Sequence, residues 1–442
     1  MSTILPSLRA DLVAIFRTAL AAVDPLRLIA NHLLRDGAQI SIQSSDGVVV
    51  ATWRAPTLVV GAGKAAGRMA AACETVLGPQ AVHGEVIVAD GCGADTESIQ
   101  VTEAGHPLPD KRGENATRRI VELFKKRETG GTLCLFSGGA SSLLVQPRVP
   151  VRLADKIEAT QLLLDCGADI RELNCLRKHL STVKGGGLAR VASGQLTTLL
   201  ISDVVGDDVA TIGSGPTAPD PTTFADAWAV LERYSLVERV PAVVSQLLRD
   251  GIEGRIAETM KPNDPQAARC RNLIVGSNRT ALEAAAQAVR ARGWAATIEA
   301  QPLTGDTTAA ARRFGTRLAE LAGHPAERPR CVLAGGETTV RVAGDGRGGR
   351  NQEFALALGQ EVDGLPITVL SAGTDGVDGP TDAAGAFVDG TTLQRARARG
   401  LDPNVALARN DSYGFFSQLG DLFQCGPTGT NVMDIKVALI GS

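Results

Sequence analysis

The sequence predicts an α/β fold with two domains. Short runs rich in β-branched residues alternate with longer helical patterns, which is typical of βαβ units around a parallel sheet. The 442 residues exceed what one ordinary core holds. A proline-rich stretch at 216–221 interrupts the alternation. We therefore expect an N-terminal domain over residues 1–220 and a C-terminal α/β domain over residues 221–442.

The elements follow from local patterns along the chain. Apolar residues at helical spacing from Leu12 to Val23 predict an opening helix that ends before Pro25. The predicted strands of the first half are Thr57–Val60, Glu85–Ala89, Thr132–Phe136 and Thr197–Ile201. Its predicted helices lie at about 64–77, 113–128, 152–166 and 170–180. The predicted strands of the second half are Asn272–Val275, Ala295–Ile298, Cys331–Leu333, Ile367–Leu370 and Asp434–Ile440.

Glycine-rich turns follow several of these strands. In α/β folds, ligands bind outside the carboxyl ends of the strands, where such turns gather. Both halves carry such a rim of turns, so we expect an active site in a cleft between the two domains.

Composition excludes several classes of protein. A net charge of -3 and 3% aromatic residues disfavour a nucleic-acid partner. No run reaches the roughly 20 apolar residues of a membrane span, and the N-terminus lacks the apolar core of a signal peptide. The eight cysteines are scattered singly, without Cys-x-x-Cys pairs. We expect a cytoplasmic protein.

The most informative stretch runs from Gly335 to Glu353 and combines glycines, carboxylates and two guanidinium groups. Arg347 and Arg350 are each suited to grip a phosphate or carboxylate through paired N–H donors. The apolar residues behind the loop predict a helix, whose positive N-terminus would favour an anion. The alternative is a solvated hairpin loop.

A second candidate loop runs from Gly61 to Gly67, between a strand and a helix. Its backbone amides are expected to point at a ligand. The loop matches Gly-x-Gly-x-x-Ala, for which Asp90 would take the ribose position, but it fails the Walker A pattern. Lys64, in the expected first helical turn, opposes the helix dipole, which suggests that it holds a phosphoryl group. Alternatively, it is an ordinary surface lysine.

Other loops offer further anion ligands. The segment 137–142 presents serine hydroxyls and backbone amides, and Lys184 precedes three glycines. Gly213 and Ser214 lie in a glycine-rich turn beyond the predicted strand Thr197–Ile201. His106, in a proline-defined loop, is a minor candidate. All of these residues are also ordinary in turns.

Aspartates in two loops are candidate ligands for magnesium. Asp203 and Asp207 follow a strand of the first half, and Asp375 lies in the corresponding loop of the second half. The spacing in that second loop does not match an EF-hand. Such loops also occur without function. Asn431 and Asp434, near the C-terminus, are expected to close the cleft near the arginine-rich loop.

Taken together, these motifs resemble the glycerate 2-kinase family, also called the MOFRL or TtuD-like glycerate kinases, some of which are labelled hydroxypyruvate reductases. The motifs are Gly61-Ala62-Gly63-Lys64-Ala65, Gly105-His106-Pro107, Ser137-Gly138-Gly139-Ala140-Ser141, Lys184-Gly185-Gly186-Gly187, Ser202-Asp203-Val204, Gly213-Ser214-Gly215-Pro216, Gly335-Gly336-Glu337-Thr338, Gly349-Arg350-Asn351-Gln352-Glu353 and Gly373-Thr374-Asp375-Gly376. The resemblance spans nearly the whole chain in the same order. It implies a Rossmann-like N-terminal domain, a smaller C-terminal domain of mixed α/β structure, and transfer of the ATP γ-phosphoryl group to D-glycerate with Mg²⁺.

On this interpretation, the expected catalytic residues are Lys64, Arg350, Asp203 and Asp375, and the expected metal ligands are Asp203, Asp207 and Asp375. The expected residues for substrate and nucleotide are Gly61, Gly63, Ser137, Gly138, Gly139, Ser141, Lys184, Gly213, Ser214, Glu337, Arg347, Asn351, Glu353 and Asn431. The favoured product is 2-phosphoglycerate, and a homodimer is left open. The alternatives are an NAD(P)H-dependent hydroxypyruvate reductase, favoured by Gly-x-Gly-x-x-Ala, and a protein that only binds sugar acids.

Overall fold

The computed structural model describes residues 4–125, 130–192, 194–324 and 327–441. The chain divides into two compact units. The larger unit is Pro25–Val275, and the smaller unit combines Met1–Asp24 with Gly276–Ser442. The opening helix thus belongs with the C-terminal half of the chain.

The proline-rich stretch, which we expected to separate the domains at residue 220, lies inside the larger unit. Asp220 is fully buried there. Its amide donates to the Met260 carbonyl at 2.7 Å, and its carboxylate accepts from the Lys178 ammonium at 3.2 Å. These bonds tie the stretch to the residues on both sides of it, so the prolines make an internal turn.

The larger unit is built on a six-stranded sheet, counted within the described residues. Its strands are β4 (Thr57–Ala62), β5 (Val82–Ala89), β6 (Ile99–Ala104), β7 (Thr132–Phe136), β8 (Leu196–Ile201) and β9 (Cys270–Gly276). The spatial order is β6-β5-β4-β7-β8-β9, and the pairs from β6 to β8 are parallel. This order reverses direction between β4 and β7, the point at which doubly wound sheets bind their ligands.

The helices of the larger unit are α2 (Pro25–His32), α3 (Ala66–Leu77), α4 (Lys111–Lys125), α5 (Ala140–Leu143), α6 (Leu153–Asp165), α7 (Ile170–His179), α8 (Gly187–Val191), α9 (Phe224–Arg233) and α10 (Ala242–Ile252). The central strands are buried on both faces: all six residues of β4 are buried. This matches a parallel sheet covered by helices. A small antiparallel sheet of β1 (Leu33–Asp36), β2 (Gln39–Gln43) and β3 (Val49–Arg54) precedes it and was not predicted.

The smaller unit contains a mixed sheet. Its strands are β10 (Ala295–Ile298), β11 (Leu303–Asp306), β12 (Arg330–Thr339), β13 (Ile367–Gly373), β14 (Gly385–Asp389), β15 (Leu422–Phe423) and β16 (Asp434–Ile440). β10 and β11 both pair with β12 in parallel, whereas β16 pairs antiparallel with both β12 and β13. The expectation of a parallel sheet in the first half and a smaller mixed unit in the second is confirmed.

The helices of the smaller unit are α1 (Ile4–Ala22), α11 (Asn278–Ala291), α12 (Thr307–Ala322), α13 (Arg350–Glu361), α14 (Thr392–Ala398), α15 (Pro403–Ala408) and α16 (Ser412–Leu419). The core lies where α12, α13 and α16 cover the sheet, with Phe314, Phe354 and Phe416 among its large side chains. Within the described residues, no helix has the length and apolar character needed to cross a membrane.

Most predicted elements of the first half are present, with ends shifted by a few residues. The predicted helix at 113–128 begins at Lys111, and its last three predicted positions, 126–128, lie outside the described residues. The strand Thr132–Phe136 has the predicted bounds.

Candidate active site

Two turns at the carboxyl ends of β4 and β7 are hydrogen-bonded to each other. The Lys64 amide donates to the Gly138 carbonyl at 2.8 Å, and the Ser137 amide donates to the Ala62 carbonyl at 3.2 Å. The Ala65 amide donates to Ser137 Oγ at 3.0 Å. The expectation that the amides of the first turn point at a ligand is therefore wrong for Lys64 and Ala65, which bond within the fold.

The glycines of the first turn are explained by how closely β7 approaches. A Cβ on Gly61 would lie 2.1 Å from the Leu135 carbonyl oxygen. A Cβ on Gly63, whose φ is +135°, would lie 2.2 Å from Ser137 Oγ. In this chain, the glycines of the Gly-x-Gly pattern are explained by packing, because the neighbouring strand and its turn leave no room for a Cβ.

Gly63→Ala is expected to destabilise the protein through two effects. The φ of +135° costs about 1–3 kcal/mol for a residue with a side chain, and the clash with Ser137 adds about 1–3 kcal/mol of overpacking. Gly91→Ala is the matched control, because Gly91 has a φ of +76° but nothing within 4 Å of an added Cβ. Urea denaturation should give the larger loss for Gly63→Ala; equal losses would contradict the close approach of the two turns.

The bonded turns place Lys64 beside Gly139 and His106. Lys64 precedes α3, which begins at Ala66, so it does not lie in the first helical turn as expected. A Cβ added to Gly139 would lie 3.0 Å from the His106 ring and 3.5 Å from Lys64 Cγ. Burial and, to a lesser extent, the charge of Lys64 lower the pKa of His106 below its ordinary value, which favours the neutral ring.

A cavity of about 340 Å³ opens next to this cluster. It is lined by His106, Pro107, Leu108, Pro109, Gly139, Ser141, Ser142, Val145, Lys156, Ile157, Thr160, Gln161, Leu164 and Arg177. The lining combines apolar side chains with hydroxyls and cations. None of the described residues that line it carries a carboxylate.

Lys156 and Arg177 are cavity residues that the sequence analysis did not select. Lys156 is only 4% exposed, and its ammonium donates to the Arg177 carbonyl at 3.3 Å. Burial, with the charge of Arg177, lowers the pKa of Lys156 to about 7. A sequence signal existed: Lys156 falls on the apolar stripe of α6 between Leu153 and Leu163, where a charged residue is unexpected.

Lys184, predicted as an anion ligand, is fully buried and bonds to the fold. Its ammonium donates to the carbonyls of Ser141 at 2.7 Å and Leu144 at 3.1 Å. Burial, together with nearby Lys156 and Arg177, holds its pKa well below the ordinary value. Lys184 therefore fixes the short helix α5 against the cavity.

Ser141 and Ser214, both predicted ligands, share a hydrogen bond of 2.7 Å between their hydroxyl oxygens. Ser214 Oγ also donates to Asn174 Oδ1 at 2.9 Å. Gly213 has a φ of +59°, and Ser214 continues this left-handed path with a φ of +63°. The turn thus positions Ser141 at the cavity wall.

Asp90, the predicted ribose ligand of a dinucleotide, is held by an arginine instead. Its two carboxylate oxygens accept from the Arg112 guanidinium at 2.6 and 2.8 Å. Arg112 also bonds to Asp110 at 2.8 Å. This arrangement disfavours a role for Asp90 with a nicotinamide cofactor.

The aspartates expected to bind metal do not form a complete ligand cage. Among the residues that the structure describes, no group of three or more His, Cys, Asp or Glu side chains is arranged to hold a metal. Asp203 is half-buried and lies two residues beyond the end of β8, and Asp207 has a φ of +55° in the next turn. Asp375 belongs to the smaller unit, where its carboxylate accepts from the Val377 amide at 3.2 Å.

In the smaller unit, Arg350 is held between two carboxylates. Its Nε and Nη2 donate to both oxygens of the fully buried Asp434, at 2.8 and 2.9 Å. Its Nη1 lies 3.1 Å from Glu337 Oε1. Burial raises the pKa of Asp434, but the charges of Lys436 and Arg350 outweigh it and hold that pKa below the ordinary value.

Asn351 connects this ion pair to the start of α13. Its side-chain nitrogen donates to Asp434 Oδ1 at 2.9 Å, and its side-chain oxygen accepts from Lys436 Nζ at 2.7 Å. The amides of Asn351 and Gln352 donate to the Asp378 carboxylate at 3.0 and 2.9 Å. The helix N-terminus, which we expected to face a ligand, is capped by Asp378.

The side chain of Arg347, which we expected to grip an anion, lies against an aromatic ring of the smaller unit. Its guanidinium carbon lies 4.4 Å from the centre of the Tyr413 ring, and its Nε donates to the Pro380 carbonyl at 3.1 Å. Glu353 accepts from the Asn410 side chain at 3.0 Å, and burial raises its pKa. Asn431 accepts from the Met433 amide at 3.1 Å.

A groove of about 500 Å³ runs along the glycine-rich loop of the smaller unit. Arg350, Glu337 and Glu353 line it, together with Gly346, Gly348 and Gly349. Unlike the cavity of the larger unit, this groove has both cationic and anionic walls. Such a groove suits a negatively charged ligand that also carries hydroxyl groups or a bound metal ion.

Comparison with known proteins places these features in a family. A family model described as a domain of unknown function (DUF4147) matches residues 11–249, and the MOFRL family model matches residues 330–434. The chain is 38% identical to a protein named glycerate 2-kinase from Pyrococcus horikoshii, over 96% of this chain and 95% of that protein. The chain belongs to the glycerate 2-kinase family.

Two further relatives carry different names, of which one agrees with this assignment. The solved structure of a glycerate kinase from Thermotoga maritima superimposes with a TM-score of 0.85 at 35% identity, covering 99% of this chain and all of that chain. A protein from Agrobacterium vitis named putative hydroxypyruvate reductase is 39% identical over 98% of this chain and 95% of that protein. The same family thus carries two names.

Proposed function

We propose that this protein transfers the γ-phosphoryl group of ATP to D-glycerate and forms 2-phosphoglycerate. The observation that carries the proposal is the 38% identity, along nearly the whole chain, to a protein named glycerate 2-kinase. The chemistry of the larger unit agrees with it, because a lysine and a cavity free of carboxylates suit phosphate and carboxylate groups.

Lys64 is the proposed catalytic cation. Phosphoryl transfer needs little covalent chemistry from the protein, so positioning and neutralisation of charge dominate. Lys64 lies at the reversal point of the parallel sheet, between β4 and β7, and is half-buried beside His106. An ammonium there would neutralise charge that develops on the phosphoryl oxygens.

Arg350 is the proposed catalytic residue of the smaller unit. Its side chain is 28% exposed and lines the groove while Asp434 holds it from behind. The bidentate pair fixes the plane of the guanidinium, so its remaining N–H donors are preorganised for an anionic oxygen. Glu337 occupies one of them now and would exchange with the substrate.

Magnesium fits the carboxylates that are present. Mg²⁺ bound with a nucleotide uses one or two carboxylates and takes its other ligands from phosphates and water. Asp203 is the first proposed ligand because it lies at the carboxyl end of β8, and Asp207 and Asp375 are further candidates. When bound, Mg²⁺ would neutralise phosphate oxygens of ATP.

Asp203→Asn is expected to raise the Mg²⁺ concentration needed for half-maximal activity by about tenfold or more, since a ligand carboxylate loses its charge. Titration of the kinase rate with MgCl₂ at fixed ATP measures this shift. Asp95→Asn, at an exposed site in the same unit, is the control. An unchanged Mg²⁺ dependence in Asp203→Asn would remove Asp203 from the metal site.

The rival function is reduction of hydroxypyruvate by NAD(P)H, the activity that the name of the A. vitis relative suggests. The purified protein should release ADP from MgATP only when D-glycerate is present, and should not oxidise NADH or NADPH with hydroxypyruvate. Nicotinamide oxidation without ADP release would overturn the proposal. The pairing of Asp90 with Arg112 makes that result unexpected.

We also propose that the protein works in the cytoplasm. The cysteines are free thiols, and a reducing compartment keeps them so.

A further inference from the structure

Two cations that lie in the cavity beside Lys64 have no acidic partner among the residues that the structure describes. The guanidinium of Arg177 is half-buried and makes no hydrogen bond or ion pair with any residue that the structure describes. The Lys156 ammonium contacts only the Arg177 carbonyl within the same described ranges. Buried cations are normally paired, so two without a carboxylate in one cavity require an explanation.

The rest of the cavity wall indicates what kind of molecule would supply the missing charge. Leu108, at 61% exposure, and Leu164, at 45%, are apolar side chains open to solvent at the cavity. Ser141 and Ser142 add hydroxyls. A volume of about 340 Å³ falls in the range of small-molecule sites. The cavity therefore suits a small organic anion.

A purely structural role explains these cations less well. Lys184, which is also buried nearby, satisfies its ammonium with two backbone carbonyls and supports α5. The Arg177 guanidinium has no comparable bonds to the described part of the chain. Burial lowers the pKa of Arg177 as well as that of Lys156, and a bound anion would offset this cost by favouring the charged forms.

We propose that Lys156 and Arg177 form an anion-recognition site that binds the carboxylate or phosphate of one of the two kinase substrates. This inference rests on the proposed function for the identity of the ligand. His106 and Gly139 connect the cavity to Lys64, so a substrate anchored at Lys156 would extend toward the proposed catalytic cation. Lys156 and Arg177 are then specificity residues.

The test compares Lys156→Met and Arg177→Met with wild type. Methionine keeps most of the side-chain volume and removes the charge, and circular dichroism establishes that each variant is folded. Lys111→Met is the control, because Lys111 is 75% exposed and pairs only with Glu114. Calorimetric titration with D-glycerate alone and with MgATP alone gives two dissociation constants for each protein, and steady-state assays give KM and kcat.

We expect one of the two dissociation constants, and the matching KM, to rise about tenfold or more in both cavity variants, with little change in kcat. A change for glycerate identifies the carboxylate as the ligand, whereas a change for MgATP identifies a phosphate. If both constants remain within twofold of wild type while the wild-type enzyme is an active kinase, the proposal is wrong.

Failure of the proposed function is distinguished by a probe that needs no catalysis. Inorganic phosphate should raise the melting temperature of the wild type and of Lys111→Met, but not of Lys156→Met or Arg177→Met. If the wild type shows no kinase activity and phosphate still discriminates in this way, the function is wrong and the anion site stands. If phosphate raises the melting temperature of all four proteins equally, or of none of them, the proposed anion site is wrong.

Discussion

Lys64→Ala is expected to lower kcat/KM for glycerate phosphorylation by about 10²–10³-fold, the loss that follows removal of one preorganised charge-stabilising donor. The protein should remain folded, because Lys64 is half-buried and its backbone bonds to Gly138 persist in alanine. The change in the free energy of unfolding should stay within about 0.5 kcal/mol. Steady-state kinetics and urea denaturation measure the two effects.

The control for Lys64→Ala is Lys111→Met, which removes a cation from an exposed position of the same unit. It should keep the wild-type kinetics. A folded Lys64→Ala protein with a wild-type rate would contradict the catalytic role of Lys64, and a large loss of stability would show that the lysine serves the fold.

Arg350→Ala is expected to abolish activity and also to destabilise the protein. Removing one member of a buried ion pair costs about 3–5 kcal/mol. The loss should fall at the lower end of that range, because Lys436 and Asn351 still contact Asp434 at 3.3 and 2.9 Å. Urea denaturation measures this loss of stability. The loss distinguishes Arg350→Ala from Lys64→Ala, which is expected to lower the rate without a comparable loss of stability.

The stability deficit of Arg350→Ala should depend on pH. Wild-type Asp434 has a pKa below that of the unfolded chain, so its pairing stabilises the fold above the unfolded pKa of about 4 and is lost as pH falls. In Arg350→Ala, the buried charge of Asp434 has lost its arginine partner and destabilises the fold. Protonation of Asp434 removes this cost. The deficit relative to wild type should therefore shrink as pH falls below about 4, toward the lowered pKa of wild-type Asp434. A constant deficit would mean that the Asp434 charge is not its cause.

The strands were predictable where short apolar or β-branched runs are bounded by glycines or polar turns. β7, β10 and β16 have the predicted bounds, although β10 is only partly buried, whereas β7 and β16 are buried along most or all of their length. β1 to β3 were missed, since their burial is partial and their sequence is polar. The position of α1 in the smaller unit was not predictable either, because it depends on contacts hundreds of residues apart, such as Arg9 with Asp421.

The sequence predicted the loops of the candidate site better than it predicted the contacts between their residues. Sequence placed Lys64 and Ser137 at the ends of strands, and the structure joins their turns. It placed Asp434 near the arginine-rich loop, which the structure confirms, but it did not predict the ion pair with Arg350, because partners 84 residues apart leave no local pattern. Lys156 was overlooked although it falls on the apolar stripe of α6, because its burial without an acidic partner among the described residues is a property of the folded chain.

The central claim is tested most directly by following the γ-phosphoryl group itself. The protein is incubated with ATP labelled in the γ-phosphate, Mg²⁺ and D-glycerate, and the labelled product is identified by its conversion with enolase. We predict labelled 2-phosphoglycerate, which enolase converts to phosphoenolpyruvate. Label that remains in ATP or appears only as inorganic phosphate would contradict glycerate kinase activity, and labelled 3-phosphoglycerate would contradict transfer to the 2-hydroxyl.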